Sequence, residues 1–401
     1  MTTNTAVQQL NGDNNEVGKP NKYTATPNLT AALRKAENDF RSDIFTVPTE
    51  EMMQAIIDAT FEDDVFDTDA EKSCVVALEQ KLVELTGMEA ALWVVSGTMG
   101  NQICLRTHLT QPPYTVLLDH RAHVYCAEAG ALSALSQASV TPVHPANGVH
   151  LTLEDVKKNM TPGGNWLCPP TRVVALENTL NGSILPLKDA KEISDFVRNY
   201  PVPEGEKPIA THCDAARLFD AVIGEGVDLK EYCACFDTIS VCFSKGLGAP
   251  MGSMILGPRP FLERARCFKK MFGGSIRPPG MMAASALTAL KYSLPQFPRV
   301  HAMAKAAAAK LEAVGYKFSL PVQTNMIVLD LEAAGLPGAA LVKYCEDAGI
   351  AVFPEGRLVF HYQISEDAAN RLVKALTLLI QDKKAGKDLD AADGKNLYIT
   401  H

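Results

Sequence analysis

At roughly 150 residues per domain, a chain of 401 residues has room for two or three folding units and a sizeable core. With 47% hydrophobic and 21% charged residues, its composition excludes wholesale disorder, collagen and coiled coil. A net charge of -8 argues against a nucleic-acid partner; the one dense basic cluster, Arg264, Arg266, Lys269 and Lys270, reads as a solvated helix face.

No stretch approaches the roughly 18 apolar residues of a membrane span. The opening MTTNTAVQQLNGDNN lacks the basic start and apolar run of a signal peptide, so a soluble, cytoplasmic protein is expected, without a membrane partner. Ten cysteines lie in apolar runs with no CxxC pair, the pattern of buried thiols; neither a disulfide framework nor a metal site is expected.

Residues 1–25 are rich in Asn, Thr and Gly, and ordering them costs more entropy than their burial returns, so a disordered N-terminal arm is expected. From Asp39 onward, AALWVV (90–95), TVLLDH (115–120), TRVVALEN (171–178), IATHCDA (209–215), DTISVCFS (237–244) and GSMILG (252–257) alternate with helical stretches. That rhythm predicts an α/β large domain with a mostly parallel sheet over residues 26–285. Helical runs at 281–296 and 301–314 then lead to two expected strand pairs, NMIVLDLE (325–332) and AVFPE (351–355) with RLVFHY (357–362). Further helices are expected near 338–348 and 365–383, giving a smaller C-terminal α+β domain over 286–382 and a polar tail over 383–401.

Three segments carry candidate chemistry. DTISVCFSKGLGAPMGSMILG delivers Ser244 and Lys245 from a hydrophobic strand into a Gly-rich turn, where partial desolvation frees a lysine amine for Schiff-base formation. IATHCDAARLFDA places Asp214 at the end of another strand with Arg217 three residues on; a buried carboxylate there needs a cation or a cap. ALWVVSGTMGNQICLRTHL is a strand, a Ser96-Gly97-Thr98 turn and a helix, whose free N–H groups suit a phosphate. In DHRAHVYCAEAG, His123 and Glu128 stand out.

In this order, SGTMGNQ (96–102), RAHVYCAEAG (121–130), LENTLNG (176–182), HCDAAR (212–217), SKGLGAP (244–250), GGSIR (273–277) and GRLVFHY (356–362), preceded by DFRSD (39–43), TVPT (46–49) and FEDDVF (61–66), resemble the threonine aldolases of the aromatic β-eliminating lyase group. These are pyridoxal-phosphate enzymes of fold type I, and the resemblance spans about Asn38 to Asp382. It implies that Lys245 holds pyridoxal 5'-phosphate as an internal aldimine, that Asp214 pairs with the pyridine nitrogen, which keeps the ring an electron sink, and that His123 stacks on the ring. It also implies that Gly97 and Thr98 seat the phosphate, with Arg277 reaching it from a neighbouring subunit of a homodimer or homotetramer whose active sites are shared. Ser42, Arg217 and Arg357 match positions that hold the carboxylate of a small amino-acid substrate, Arg217 also bordering the cofactor.

Departures from the family pattern fall on its substrate side. Phe66 stands where a tyrosine is usual, Leu167 where a histidine precedes the LENT segment, Pro278 and Pro279 where Gln-Ser follows GGSIR, and Ala215 where HxDGAR has glycine. Aldol cleavage needs a base at the β-hydroxyl; Leu167 cannot serve, which leaves His123 or a bound water. Racemisation needs only removal of the Cα proton, giving a quinonoid, and its return to the opposite face, with Lys245 on one side and His123, Tyr125, Cys168 or water on the other. Since some fungal alanine racemases share this scaffold, racemisation of alanine or a similar small amino acid is the leading expectation, and cleavage of L-threonine or L-allo-threonine to glycine and acetaldehyde the alternative.

Overall fold

The computed structural model describes residues 23–63, 73–164 and 166–389, so most of the expected N-terminal arm and the end of the tail lie outside the described residues. Seven strands form one sheet: β1 (Ala90–Val94), β2 (Thr115–Asp119), β3 (Ser139–Val143), β4 (Thr171–Glu177), β5 (Ala210–Asp214), β6 (Thr238–Cys242) and β7 (Ser253–Gly257). Their spatial order is β1-β7-β6-β5-β4-β2-β3, with β7 antiparallel to both neighbours and the remaining pairs parallel. The inner strands β2, β5, β6 and β7 are buried almost end to end, as unbroken apolar runs require when helices cover both faces.

One sheet strand escapes the sequence pattern. β3 is half exposed and carries Pro142, which a strand tolerates at a sheet edge with one partner. The expected second C-terminal strand pair also gives way. β8 (Met326–Val328) pairs with β9 (Arg357–Val359), whereas of AVFPE only Ala351 bridges, to Asp39. The chain near Phe40 lies between these segments: Phe40 N–H donates to Ala351 O at 2.8 Å, and Val359 N–H donates to Phe40 O at 2.8 Å. An N-terminal segment thus takes the partners that a local hairpin would have used, and it delivers Ser42 and Asp43 toward the large sheet.

Four hydrophobic clusters form among the described residues, three against the large sheet and one in the C-terminal region. Trp93, Leu176, Ile239, Phe243 and Met254 belong to the largest of those on the large sheet, while Phe40, Leu311, Ile327, Leu358 and Leu372 lie in the C-terminal one. The helix Phe297–Val314 joins these two, with Phe297 in the first and Val300 in the second. Among the described residues no helix is long and apolar enough to cross a membrane. The last helix, Glu366–Lys384, takes in the first two residues of the expected polar tail, where Lys383 and Lys384 donate to carbonyls of the neighbouring segments.

Two expectations about side chains need correction. Cys126, Cys168 and Cys267 are exposed and Cys74 is half-buried, so only six of the ten free thiols are core residues. Lys269 is buried with its amine 5.5 Å from the Trp93 ring, and is not part of a solvated face. The helix Gly280–Tyr292 begins against the loop at Thr60: a Cβ added at Gly280 would lie 2.2 Å from Thr60 O, a backbone atom with no room to yield. Gly280→Ala is therefore expected to cost about 1–3 kcal/mol of stability, measured as a lowered urea midpoint; an unchanged midpoint contradicts this packing.

Candidate active site

Ligand sites of open α/β sheets lie where the parallel strands end, and the candidate residues of this chain gather at that edge. β1 leads into the Ser96 turn, β2 toward His123, β4 ends at Glu177, β5 ends at Asp214, and Lys245 follows β6 by three residues. Ser96 Oγ accepts from Met99 N–H at 3.2 Å, capping the helix Gly97–His108 and leaving the N–H groups of Gly97 and Thr98 at its positive end. Glycine is required there by close approach: a Cβ on Gly97 would lie 2.6 Å from Cys242 Sγ.

Asp214 is buried, and its oxygens accept from Asn101 Nδ2 at 2.7 Å and from Ala216 N–H at 3.1 Å. Asn101 Nδ2 also donates to Glu128 Oε1 at 2.9 Å, and Gln102 Nε2 donates to Glu128 Oε2. Glu128 in turn meets His123 Nδ1 at 2.9 Å. A carboxylate accepts, so Nδ1 carries the imidazole hydrogen and Nε2 is left as the free base. The hydrogen bond to Glu128 raises the His123 pKa, against the opposing effect of burial. His123, Glu128 and Asp214 lie close enough to hold a cation, but the Asn101 amide presents its hydrogens to both carboxylates and would repel one.

Glu177 sits beside Asp214 across β4 and β5 and accepts from His123 N–H at 2.7 Å. Burial and the neighbouring Asp214 charge push the Glu177 carboxyl up to about 8, leaving it largely protonated at neutral pH. Lys245 is half-buried, its carbonyl accepts from Thr46 Oγ1 at 2.9 Å, and its charge is felt at Asp43, Glu177, His123 and Cys242.

A second cluster adjoins the first. Arg217 Nε and Nη2 donate to the two oxygens of Asp43 at 2.7 and 2.6 Å, a bidentate pair in which Asp43 is buried and Arg217 half-buried. Burial alone would push Asp43 up; Arg217 outweighs it and leaves the carboxyl at about 2. Ser42 is buried next to Asp43, and its Oγ accepts weakly from Ile44 N–H at 3.4 Å. Arg357 opens β9; burial and then the nearby Arg217 charge lower its pKa, and among the described residues no hydrogen bond neutralises it. Arg357, with no carboxylate hydrogen-bonded to it among the described residues, is the guanidinium open to an external anion.

The donor set fits pyridoxal phosphate: free N–H groups at a helix start for the phosphate, a buried carboxylate for a ring nitrogen, an imidazole, and a lysine beside them. Sequence reasoning missed Asn101, Gln102, Glu177 and Asp43, although all four fall within the motifs SGTMGNQ, LENTLNG and DFRSD. The expected substrate-side lining fares differently. Leu167 and Cys168 are exposed in the loop that precedes β4, at the opposite end of that strand from Glu177, so neither lines the Lys245 cluster of this chain. Phe66 lies outside the described residues. Arg277 is 58% exposed and pairs with Asp63; Pro278 and Pro279 follow it and lead into the helix Gly280–Tyr292. Tyr125 is exposed in the short helix His123–Cys126, and Ala215 is buried beneath the site.

Because the folded pKa of Glu177 is raised from 4.5 to about 8, its contribution to stability is full below 4.5 and is lost as the pH rises toward 8. In the cofactor-free protein, Glu177→Gln is expected to gain Tm relative to the native chain across that window, with the gain levelling above it. Parallel Tm curves for the two proteins would show that Glu177 ionises normally.

The beta-eliminating lyase family model matches residues 39–334. The chain is 44% identical over 350 residues to a low-specificity L-threonine aldolase of Eremothecium gossypii, covering 87% of this chain and 89% of the relative. It is 35% identical over 346 residues to the alanine racemase TOXG of Cochliobolus carbonum, covering 84% and 86% of the two chains. Among solved structures, a threonine aldolase of Leishmania major shares the fold with a TM-score of 0.70 at 18% identity, covering 86% of this chain and 99% of that one. The chain belongs to the beta-eliminating lyase family and is a pyridoxal-phosphate-dependent enzyme of amino-acid chemistry.

Proposed function

We propose that this chain is a threonine aldolase-type lyase that cleaves L-threonine or L-allo-threonine to glycine and acetaldehyde. The observation that carries the reading is its likeness to three fungal low-specificity L-threonine aldolases, at 44, 41 and 42% identity over 85–90% of this chain. The case for alanine racemisation rested on replaced pocket residues. Within this chain Leu167 and Cys168 lie at the far end of β4 from the Lys245 cluster, leaving His123, Tyr125 or water as candidate second bases. Racemisation remains the second reading, favoured by the likeness to TOXG at 35% identity.

Gly97 and Thr98 N–H would hold the cofactor phosphate, Asp214 would pair with the ring nitrogen, His123 would lie against the ring and Lys245 would carry the covalent link. When bound, pyridoxal phosphate supplies a sink for the electron pair left by the broken bond. Arg217 and Arg357, with Ser42, hold the substrate carboxylate, and Asp43 keeps the Arg217 fork in its plane. His123 Nε2 takes the β-hydroxyl proton, and Glu128 holds the hydrogen at Nδ1 and stabilises the charged imidazole that forms. Arg277, on an exposed turn, reaches the phosphate of a second copy in a homodimer or homotetramer.

The test is to supply L-threonine and L-alanine separately. Release of glycine and acetaldehyde, with alanine left optically unchanged, is the expected result; D-alanine without threonine cleavage overturns the aldolase reading. Arg357→Ala is expected to raise KM for the substrate roughly 10- to 100-fold, as the loss of a charge-assisted pair implies, with the cofactor spectrum unmoved. Cofactor loss at unchanged KM would place Arg357 at the phosphate instead.

A further inference from the structure

Asp214 is braced from behind by polar groups that neither bind substrate nor reach the ring. Carboxylates only accept, so the Asn101 amide donates both hydrogens, one to Asp214 and one to Glu128. Its Oδ1 must then accept, and the donor is His212 Nε2 at 3.2 Å. His212 Nδ1 is consequently the acceptor for Thr238 Oγ1 at 3.0 Å. With its one hydrogen committed, Thr238 accepts from His108 Nε2 at 2.9 Å. Asn101 and His108 stand seven residues apart on one face of the helix Gly97–His108, above His212 of β5 and Thr238 of β6.

Asn101, His212 and Thr238 are buried. Burial holds both imidazoles neutral, with His212 lowered to about 4 and His108 to about 3, so each keeps one donor and one acceptor nitrogen. His108 is fixed at the outer end by the Phe261 ring, 4.4 Å away. Every donor in the series points toward Asp214, so the dipoles add and their positive ends face the anion. A turned Asn101 amide would set its oxygen against two carboxylates and face its hydrogens to the His212 N–H.

We propose that His108, Thr238 and His212 are positioning residues that act through Asn101, forming a one-directional hydrogen-bond series that fixes the Asp214 carboxylate for the cofactor ring nitrogen. The proposal rests on the reading of Asp214 as the partner of that nitrogen. It adds that the electron sink is set from the far end of the sheet, where His108 borders a groove with Trp166 and Lys207.

The experiment uses the purified holoenzyme, with cofactor affinity from absorbance titration of the stripped protein and the pH dependence of the visible band as readouts. His212→Leu is expected to weaken pyridoxal phosphate binding about tenfold, as loss of a hydrogen bond in a charge-linked series implies, and to displace the band's pH midpoint. Thr238→Val, which keeps the shape, is expected to give smaller changes in the same directions. His212→Gln, which restores a donor and an acceptor, is expected to return both readouts toward native values. Native affinity and band in both His212→Leu and Thr238→Val overturn the proposal; should His212→Leu not fold, Thr238→Val alone decides it. Asp214→Asn separates the two levels. If it leaves the band unmoved, the reading of Asp214 falls and takes this proposal with it; if it moves the band while the distal variants do not, only the series is wrong.

Discussion

One buried negative charge, Asp214 at the end of β5, organises this site. A carboxylate in that position is costly unless hydrogen bonds and a cation compensate it. The chain supplies Asn101 and the Ala216 N–H from within, and its neighbours adjust around the charge. Glu177, set beside it in register, has its carboxyl pushed up first by burial and then by the neighbouring Asp214 charge, which favours its protonated form. Glu128, the other acceptor of the Asn101 amide, turns to His123 and fixes which imidazole nitrogen is basic. The anion that suits a pyridinium ring thus also sets the protonation of the groups around it.

The second constraint is connective. Ser42 and Asp43 lie about 170 residues before Arg217 in sequence, yet Asp43 and Arg217 form a bidentate pair. The contact exists because Phe40 docks in the C-terminal core between Ala351 and Val359, which carries the residues after it onto the large sheet. Arg357 comes from β9 in that same core. Arg217 and Arg357 are therefore brought together from the large sheet and the C-terminal core, and the same N-terminal segment also meets Lys245 through Thr46, whereas Asp214 and His123 are placed by the large sheet.

The fold was legible where burial is two-sided. Runs such as TVLLDH and DTISVCFS read as strands because both faces must be apolar, and the turns after them read as site loops because Ser, Gly and Lys interrupt the pattern abruptly. β3 was not legible, since an edge strand with Pro142 has no such pattern. Neither was the loss of the 351–355 pairing, which depends on a competing segment some 310 residues away. At the site, single residues with a chemical signature were legible and their supports were not: Asn101 makes sense only beside Asp214, 113 residues on. The place of Leu167 was not legible either, because distance along the chain to a motif does not say at which end of a strand a loop lies; in this chain it stands before β4 and the Lys245 cluster lies after it.

The central claim is that Lys245, carried from β6 to the edge where Asp214 and His123 meet, is the residue that bonds the cofactor. Borohydride reduction of the holoenzyme, followed by digestion and mass spectrometry, tests it directly. A phosphopyridoxyl group on the peptide containing Lys245, absent from Lys245→Ala, is the result predicted. The same group on another lysine, or none in a protein that has bound the cofactor, would contradict the account.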